Sequence, residues 1–315
     1  MASFKRVIEK TWLATFIVVA LVFVISYFRG EADKLARILD ADLRVLGWAV
    51  IAQVAYFFAT VLTWQKTLLY VNGRTVTLRE SLSQILVVNF GKYIPGKVWG
   101  MAARGKRLAE AGYDMAQITR ASYVEQILLL LTGCALALLA AAVAFDNPLY
   151  WLGFALTILA IALFRHGDKL VGKLANIMPR AARLLRFLEV RISTLSVLKL
   201  SLGFVFEWLF LSAAFIFVCT SFVSVELDTA SAAVFVLSLT AGFLAGFLAL
   251  FAPGGVGVRE GVGAIFLSSL VTLEEAVLLM LLFRVWVVAT ELLAGAVAFI
   301  IPAQRGVSTG GEFDG

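Results

Sequence analysis

The stretch NFGKYIPGKVWG, residues 89–100, interrupts an apolar sequence with a Pro-Gly pair and two lysines. A second stretch, LFAPGGVGVREGVG at residues 250–263, combines a Pro-Gly pair with one arginine and one glutamate. Proline removes a backbone donor and ends a helix, and glycine permits the turn that follows. The two stretches therefore predict two helix breaks, each lying beside positive charge.

The rest of the sequence is typical of a helical membrane protein. Of its 315 residues, 61% are hydrophobic and only 15% are charged, whereas about a quarter are charged in soluble domains. We therefore expect an all-α polytopic membrane protein. Six apolar runs reach or approach the ~20 residues that span a bilayer: about 11–28, 45–70, 119–144, 149–165, 200–223 and 275–301.

Loop charges predict the orientation of these helices. The segment 165–199 carries eight Lys or Arg and only two acidic residues, and the N-terminus is also basic. By contrast, the charged residues of the short loop at 223–229 are all acidic. The positive-inside rule therefore places both termini in the cytoplasm of a bacterial-type inner membrane. The net charge of +6 fits such loops, so it does not indicate nucleic-acid binding.

The segments 80–104 and 230–270 contain the two breaks. Basic residues flank the first segment on both sides, and acidic residues flank the second on both sides. We expect each segment to enter and leave by the same membrane face, as a re-entrant hairpin. The arm 230–250 is also long enough to cross the membrane, so both readings remain open for it.

The two halves of the chain then match with opposite orientation. Repeat A, about 45–144, and repeat B, about 200–301, would each be a helix, a hairpin and a helix within one membrane domain, 1–315. The remaining parts are the first helix at 11–28, the helix at 149–165 with its basic cytoplasmic loop, and a polar tail at 302–315. Inverted repeats with broken helices are typical of transporters.

The hairpin tips predict a shared binding cavity. Non-helical backbone inside a bilayer is tolerated only within protein or beside water. Helices that begin with WGMAARG and VREGVGAIFL would direct their positive N-terminal ends into this cavity. The tip backbone residues are Pro95, Gly96, Pro253, Gly254, Gly255 and Gly257.

Charged side chains near the tips favour a phosphate ligand. Ionisable groups in spanning helices usually face the interior of a bundle. The candidate substrate-binding residues are Lys92, Lys97, Arg104, Arg259, Arg284, Glu125, Glu260, Glu291 and Asn89.

Structural roles are open for several of these residues. Lys92, Lys97 and Arg104 could extend to headgroups at the cytoplasmic surface. Arg284 could form an ion pair with Glu291 or Glu260, and Glu260 could instead pair with Arg259. Glu207, near the start of the run 200–223, could be an ordinary interfacial carboxylate.

Enzymatic chemistry is not expected. The chain has one histidine and two cysteines, too few for a His/Cys metal site. We find no nucleotide-binding loop and no catalytic constellation, and we predict no cofactor and no metal.

Both interrupted stretches resemble a known family. The first similarity consists of NFGKYIPGKVWGMAAR with the later YVEQILLLLTG, and the second of APGGVGVREG with the later LLFRVWVVATELLAG. These stretches are similar to the lysylphosphatidylglycerol synthase transmembrane region family, which is described as flippase-like. The resemblance implies a membrane domain that moves aminoacylated phosphatidylglycerol or related lipids between leaflets. The full synthases carry a soluble catalytic domain after this region, whereas this chain ends in a short tail, so we do not expect it to make the lipid.

The sequence thus predicts a lipid translocator with a cationic cavity at the membrane midplane. Its partner would be a lipid with an anionic phosphate headgroup, which could be aminoacylated or glycosylated. The alternatives are an integral-membrane transferase acting on a lipid-linked substrate, and a membrane partner that recruits a cytoplasmic lipid-modifying or glycosyl-transfer enzyme.

Overall fold

The structure is a computed structural model that describes residues 41–91, 99–166, 190, 192–249 and 252–300. The predicted first helix at 11–28, most of the basic loop and the polar tail lie outside the described residues. Within the described ranges the chain is all-helical, as predicted. Its helices are α1 (Leu43–Asn72), α2 (Leu78–Gly91), α3 (Trp99–Glu110), α4 (Met115–Phe145), α5 (Pro148–Leu163), α6 (Thr194–Phe222), α7 (Thr229–Leu248), α8 (Val258–Leu267) and α9 (Leu273–Ile300), with short 3-10 turns at Phe164–His166 and Pro253–Gly255.

Five of these helices are long and apolar enough to cross a membrane: α1, α4, α6, α7 and α9. The predicted runs at 45–70, 119–144, 200–223 and 275–301 lie within, or within one residue of, four of them. Helix α5 has 16 residues, which is about 24 Å of helix. It is therefore shorter than the hydrocarbon core of about 30 Å.

Polar residues at the helix starts explain where several helices begin. The side chains of Asp42, Asn147 and Ser193 each accept a hydrogen bond from a backbone amide in the first turn of α1, α5 and α6. Asp114 and Asp228 do the same for α4 and α7, each within a reciprocal capping box. Such caps satisfy amides that have no partner within the helix.

Helices α2 and α3 form a pair, which we call pair A, between the long helices α1 and α4. The turn before α2 and the turn after α3 lie together, because Arg74 donates hydrogen bonds to the Gly112 carbonyl and to the side chain of Gln117. Arg74 also lies over the ring of Tyr113, 4.0 Å from its centroid. Pair A therefore extends inward from the end of the bundle where α1 ends and α4 begins.

Helices α7 and α8 form the corresponding pair, pair B, which lies between α6 and α9 in the sequence and packs against α4, α6 and α9. The loop after α6 and the turn before α9 line the same surface cavity, which includes Val223 and Leu270. Pair B therefore extends inward from the end where α6 ends and α9 begins.

These two ends are opposite ends of the bundle. The backbone amide of Asp42, at the start of α1, donates to the carbonyl of Ser221, near the end of α6, at 3.1 Å. Helices α1 and α6 pack extensively along each other and are therefore antiparallel. Pair A begins where α1 ends, whereas pair B begins where α1 starts.

Glycines allow the helices within each pair to touch. A Cβ on Gly91 would lie 2.2 Å from the Cα of Gly100, and one on Gly242 would lie 2.6 Å from the carbonyl oxygen of Arg259. Larger residues would push the two helices of each pair apart. Small residues serve the same purpose at helix contacts in other membrane proteins.

Candidate functional site

A cavity of about 190 Å³ lies inside the bundle, and we call it the central cavity. Helices α1, α2, α3, α4, α6 and α7 all contribute to its wall, so the inner parts of pairs A and B reach the same space. Its polar lining consists of Tyr56, Thr60, Asn89, Arg104, Glu125, Gln126 and Glu207. Its apolar lining includes Trp64, Phe204, Trp208, Phe243 and Phe247.

Arg104 of α3 is held firmly in this wall and is only 1% exposed. Its guanidinium donates to both carboxylate oxygens of Glu125 on α4, with Nη1 at 2.9 Å from Oε1, and also to the hydroxyl of Ser122 at 3.2 Å. It lies 3.9 Å from the centroid of the Trp64 ring, in a cation–π contact. Arg104 is therefore an interior, ion-paired residue and does not extend to the surface.

A hydrogen-bonded chain supports the ring on which Arg104 rests. The indole N–H of Trp64 donates to Gln84 at 2.8 Å, and the amide of Gln84 donates to Glu80 at 3.1 Å. Arg107, one turn beyond Arg104, pairs with Glu80 at 3.5 Å. These contacts join α1, α2 and α3 and fix the position of the Trp64 ring.

Glu207 of α6 is the second carboxylate in the cavity wall, and it is 5% exposed. Its Oε2 lies 3.1 Å from the hydroxyl of Thr60. The hydroxyl of Thr63, which also lies beside Glu207, donates its hydrogen to the Ala59 carbonyl at 2.8 Å, so the buried Oε1 receives no hydrogen bond of normal geometry among the described residues. The interpretation of Glu207 as an interfacial carboxylate is wrong, because the side chain is enclosed within the bundle.

Pair B carries a separate ion pair. Arg284 of α9 donates to Glu260 at 2.6 Å and to the carbonyl of Gly254 at 3.1 Å. The other oxygen of Glu260 accepts from the amide of Gly257 at 2.7 Å, at the start of α8. A space of about 20 Å³ beside these residues is large enough for about one water molecule. The charged side chains Glu260 and Arg284 thus hydrogen-bond to the backbone of the helix break that follows Pro253.

Arg259 connects pair B to the central cavity. Its guanidinium lies 5.1 Å from the centroid of Phe243, whose ring also lines the cavity. The Tyr56 hydroxyl in the cavity wall has Arg259, Glu207 and Glu291 within electrostatic reach. The structure therefore gathers charged groups from both pairs around one space.

The structure brings together three of the predicted residues, Asn89, Arg104 and Glu125, in the cavity wall. Arg259 lies next to this wall, and Glu260 and Arg284 form their ion pair in pair B. Glu291 is buried on α9. Lys92, Pro95, Gly96 and Lys97 lie outside the described residues.

Three lining residues of α1 were missed by the sequence interpretation: Tyr56, Thr60 and Trp64. Their spacing of four residues places them on one helix face, so a polar and aromatic stripe in an apolar helix could have indicated them. Within the described part of the chain, no three His, Cys, Asp or Glu side chains are grouped to hold a metal ion.

These features define a polytopic helical membrane protein with a polar cavity inside its helix bundle. A sequence model of the lysylphosphatidylglycerol synthase TM region matches residues 11–295, so the chain belongs to that family, and the predicted resemblance is confirmed. No curated protein matches the chain. Family membership gives this membrane protein a lipid-related role.

Proposed function

We propose that this protein moves a phosphate-containing lipid between the two leaflets of the membrane. The headgroup would pass through the central cavity while the hydrocarbon chains stay in the bilayer. Pairs A and B would be re-entrant hairpins of an inverted repeat, in a bacterial-type inner membrane with both termini in the cytoplasm. The protein would act as a carrier and not as an enzyme.

The observation that carries this proposal is the convergence of pairs A and B, from opposite ends of the bundle, on one polar cavity. Broken helices that meet between two opposed repeats form the substrate sites of many transporters. A cavity reached from both ends could open to either side when one half of the bundle moves against the other.

The size and charge of the cavity suit a headgroup rather than a whole lipid. A volume of about 190 Å³ is below the ~300–1,000 Å³ of pockets that enclose drug-sized ligands. Arg104 already has a carboxylate partner, so a phosphate would have to replace Glu125 on its two guanidinium N–H groups. Arginine binds phosphate in the same two-pronged way as carboxylate. Arg259 would supply a second positive charge.

Lipid exchange in reconstituted vesicles tests the proposal. Fluorescent phosphatidylglycerol is placed in both leaflets, and dithionite bleaches only the outer one. Vesicles with the wild-type protein should bleach nearly completely, whereas empty vesicles should stop at about half. Arg259→Ala should slow the exchange, while Lys106→Ala, an exposed position on α3, should not.

Two results would contradict the proposal. One is bleaching that stops at half for a folded wild-type protein with every headgroup tested. The other is covalent turnover of a lipid-linked donor by the purified protein, which would favour the transferase.

A further inference from the structure

We propose that Glu207 is a proton-binding site that links headgroup binding in the central cavity to the uptake of a proton. This inference rests on the function proposed above and adds a driving ion to it. The proton would enter from water on one side of the membrane when the cavity is open there. It would leave to the other side together with the lipid headgroup.

The first argument is the hydrogen inventory around Thr60. Its hydroxyl has one hydrogen but lies within hydrogen-bonding distance of two acceptors, the Tyr56 carbonyl at 2.9 Å and Glu207 Oε2 at 3.1 Å. If this hydrogen goes to the carbonyl one turn earlier, Glu207 needs its own proton to form the second bond. A protonated Glu207 satisfies both contacts, with its Oε2–H donating to Thr60.

The second argument is the cost of an ionised carboxylate at this position. Glu207 is only 5% exposed, its Oε1 has no hydrogen bond of normal geometry among the described residues, and no ion pair to it is found there. A buried charge is costly unless it is paired and hydrogen-bonded. By contrast, Glu125 and Glu260 each hold an arginine at hydrogen-bonding distance.

The groups around Glu207 explain how a proton and a phosphate would be coupled. Tyr56 of α1 and Glu125 of α4 share its cavity wall, and Arg104 of α3 is already bound to Glu125. Arg259 of α8 and Glu291 of α9 lie close enough to Tyr56 to interact with it electrostatically. The cavity-facing residues of α2 and α7 carry no ionisable group.

In that setting an ionised Glu207 would repel a phosphate, and protonation would remove the repulsion. Because coupling is reciprocal, the phosphate would also favour the protonated form. Headgroup and proton would therefore bind together and leave together.

The proton is tested directly on the wild-type protein in detergent at neutral pH. Dicyclohexylcarbodiimide modifies protonated carboxyl groups in apolar surroundings, and mass spectrometry locates the product. We expect labelling at Glu207, its loss in Glu207→Gln, and no change in Glu226→Gln, which alters an exposed carboxylate in the loop after α6. Absence of labelling at Glu207 overturns the protonated state.

The coupling is tested by the pH dependence of exchange of fluorescent phosphatidylglycerol in vesicles. Wild-type exchange should fall as pH rises, approaching about tenfold per pH unit once Glu207 is mostly ionised. Glu207→Gln mimics the protonated form, so its exchange should be independent of pH. An unchanged pH dependence in Glu207→Gln overturns the coupling and leaves lipid movement standing. No exchange by the wild type at any pH overturns both the proposed function and its coupling.

Discussion

The ion pair between Arg104 and Glu125 should be the strongest polar contact in the cavity wall. Its side chains are only 2% and 12% exposed, and Arg104 forms two hydrogen bonds to the carboxylate. Removing one partner leaves the other as a buried charge, which typically costs about 3–5 kcal/mol. We expect Glu125→Gln and Arg104→Met each to lower the free energy of unfolding by an amount in this range.

The double variant distinguishes pairing from simple loss of packing. Replacing both charges by uncharged groups leaves no buried ion, so its cost should be far less than the sum of the two single costs. With these costs, the double-mutant cycle should give a coupling energy of at least about 4 kcal/mol. The remaining cost of the double variant should be about 1–2 kcal/mol, from the lost contact between the guanidinium and the Trp64 ring.

Unfolding in mixed detergent micelles, titrated with sodium dodecyl sulfate and followed by tryptophan fluorescence, measures these energies. Helix α3 also provides a matched control, the pair Lys106 and Glu110, whose side chains are 80% and 66% exposed. Its coupling energy should be below about 0.5 kcal/mol. A coupling energy for Arg104 and Glu125 as small as that of the control would refute the buried ion pair.

Two further predictions concern the helix pairs. Gly91→Ala should destabilise pair A by about 1–3 kcal/mol, because the new Cβ would meet the backbone of Gly100. The control Gly47→Ala has open space around it and should be neutral or stabilising. Equal midpoints of the two variants in thermal unfolding would contradict the close contact. Glu260→Ala should lower the free energy of unfolding by about 3 kcal/mol, because it leaves Arg284 without its carboxylate. Adding Arg284→Met should restore most of this loss, whereas additive losses in the double variant would contradict the pairing.

The helical elements could be predicted from the sequence because hydropathy acts over long runs. The run 45–70 lies within Leu43–Asn72, and helices begin at Trp99 and Val258 as the two motifs predict. Some helices begin earlier than the predicted apolar run, because a polar capping residue lies before that run. Helix α6 begins at Thr194 rather than near residue 200.

That shift explains why Glu207 was misinterpreted. Counted from residue 200, it lies near a membrane surface, but counted from Thr194 it lies 13 residues into a helix of 29. The partners of the charged residues could not be predicted either. Arg104 and Glu125 are on different helices, and the sequence alone allowed either Arg259 or Arg284 as the partner of Glu260. Neighbours along a helix point in different directions, so Glu260 pairs with Arg284.

Blocking the central cavity is the most direct test of the central claim that lipid headgroups pass through it. Cys134 and Cys219, the two cysteines of the chain, are replaced by alanine, and Asn89→Cys then places one thiol in the cavity wall. Leu152→Cys on the exposed surface of α5 is the control. Both variants are labelled with a bulky thiol reagent and tested for exchange of fluorescent phosphatidylglycerol. Complete labelling at position 89 should reduce exchange to the level of empty vesicles, with no change at position 152; unchanged exchange with position 89 fully labelled would contradict the pathway.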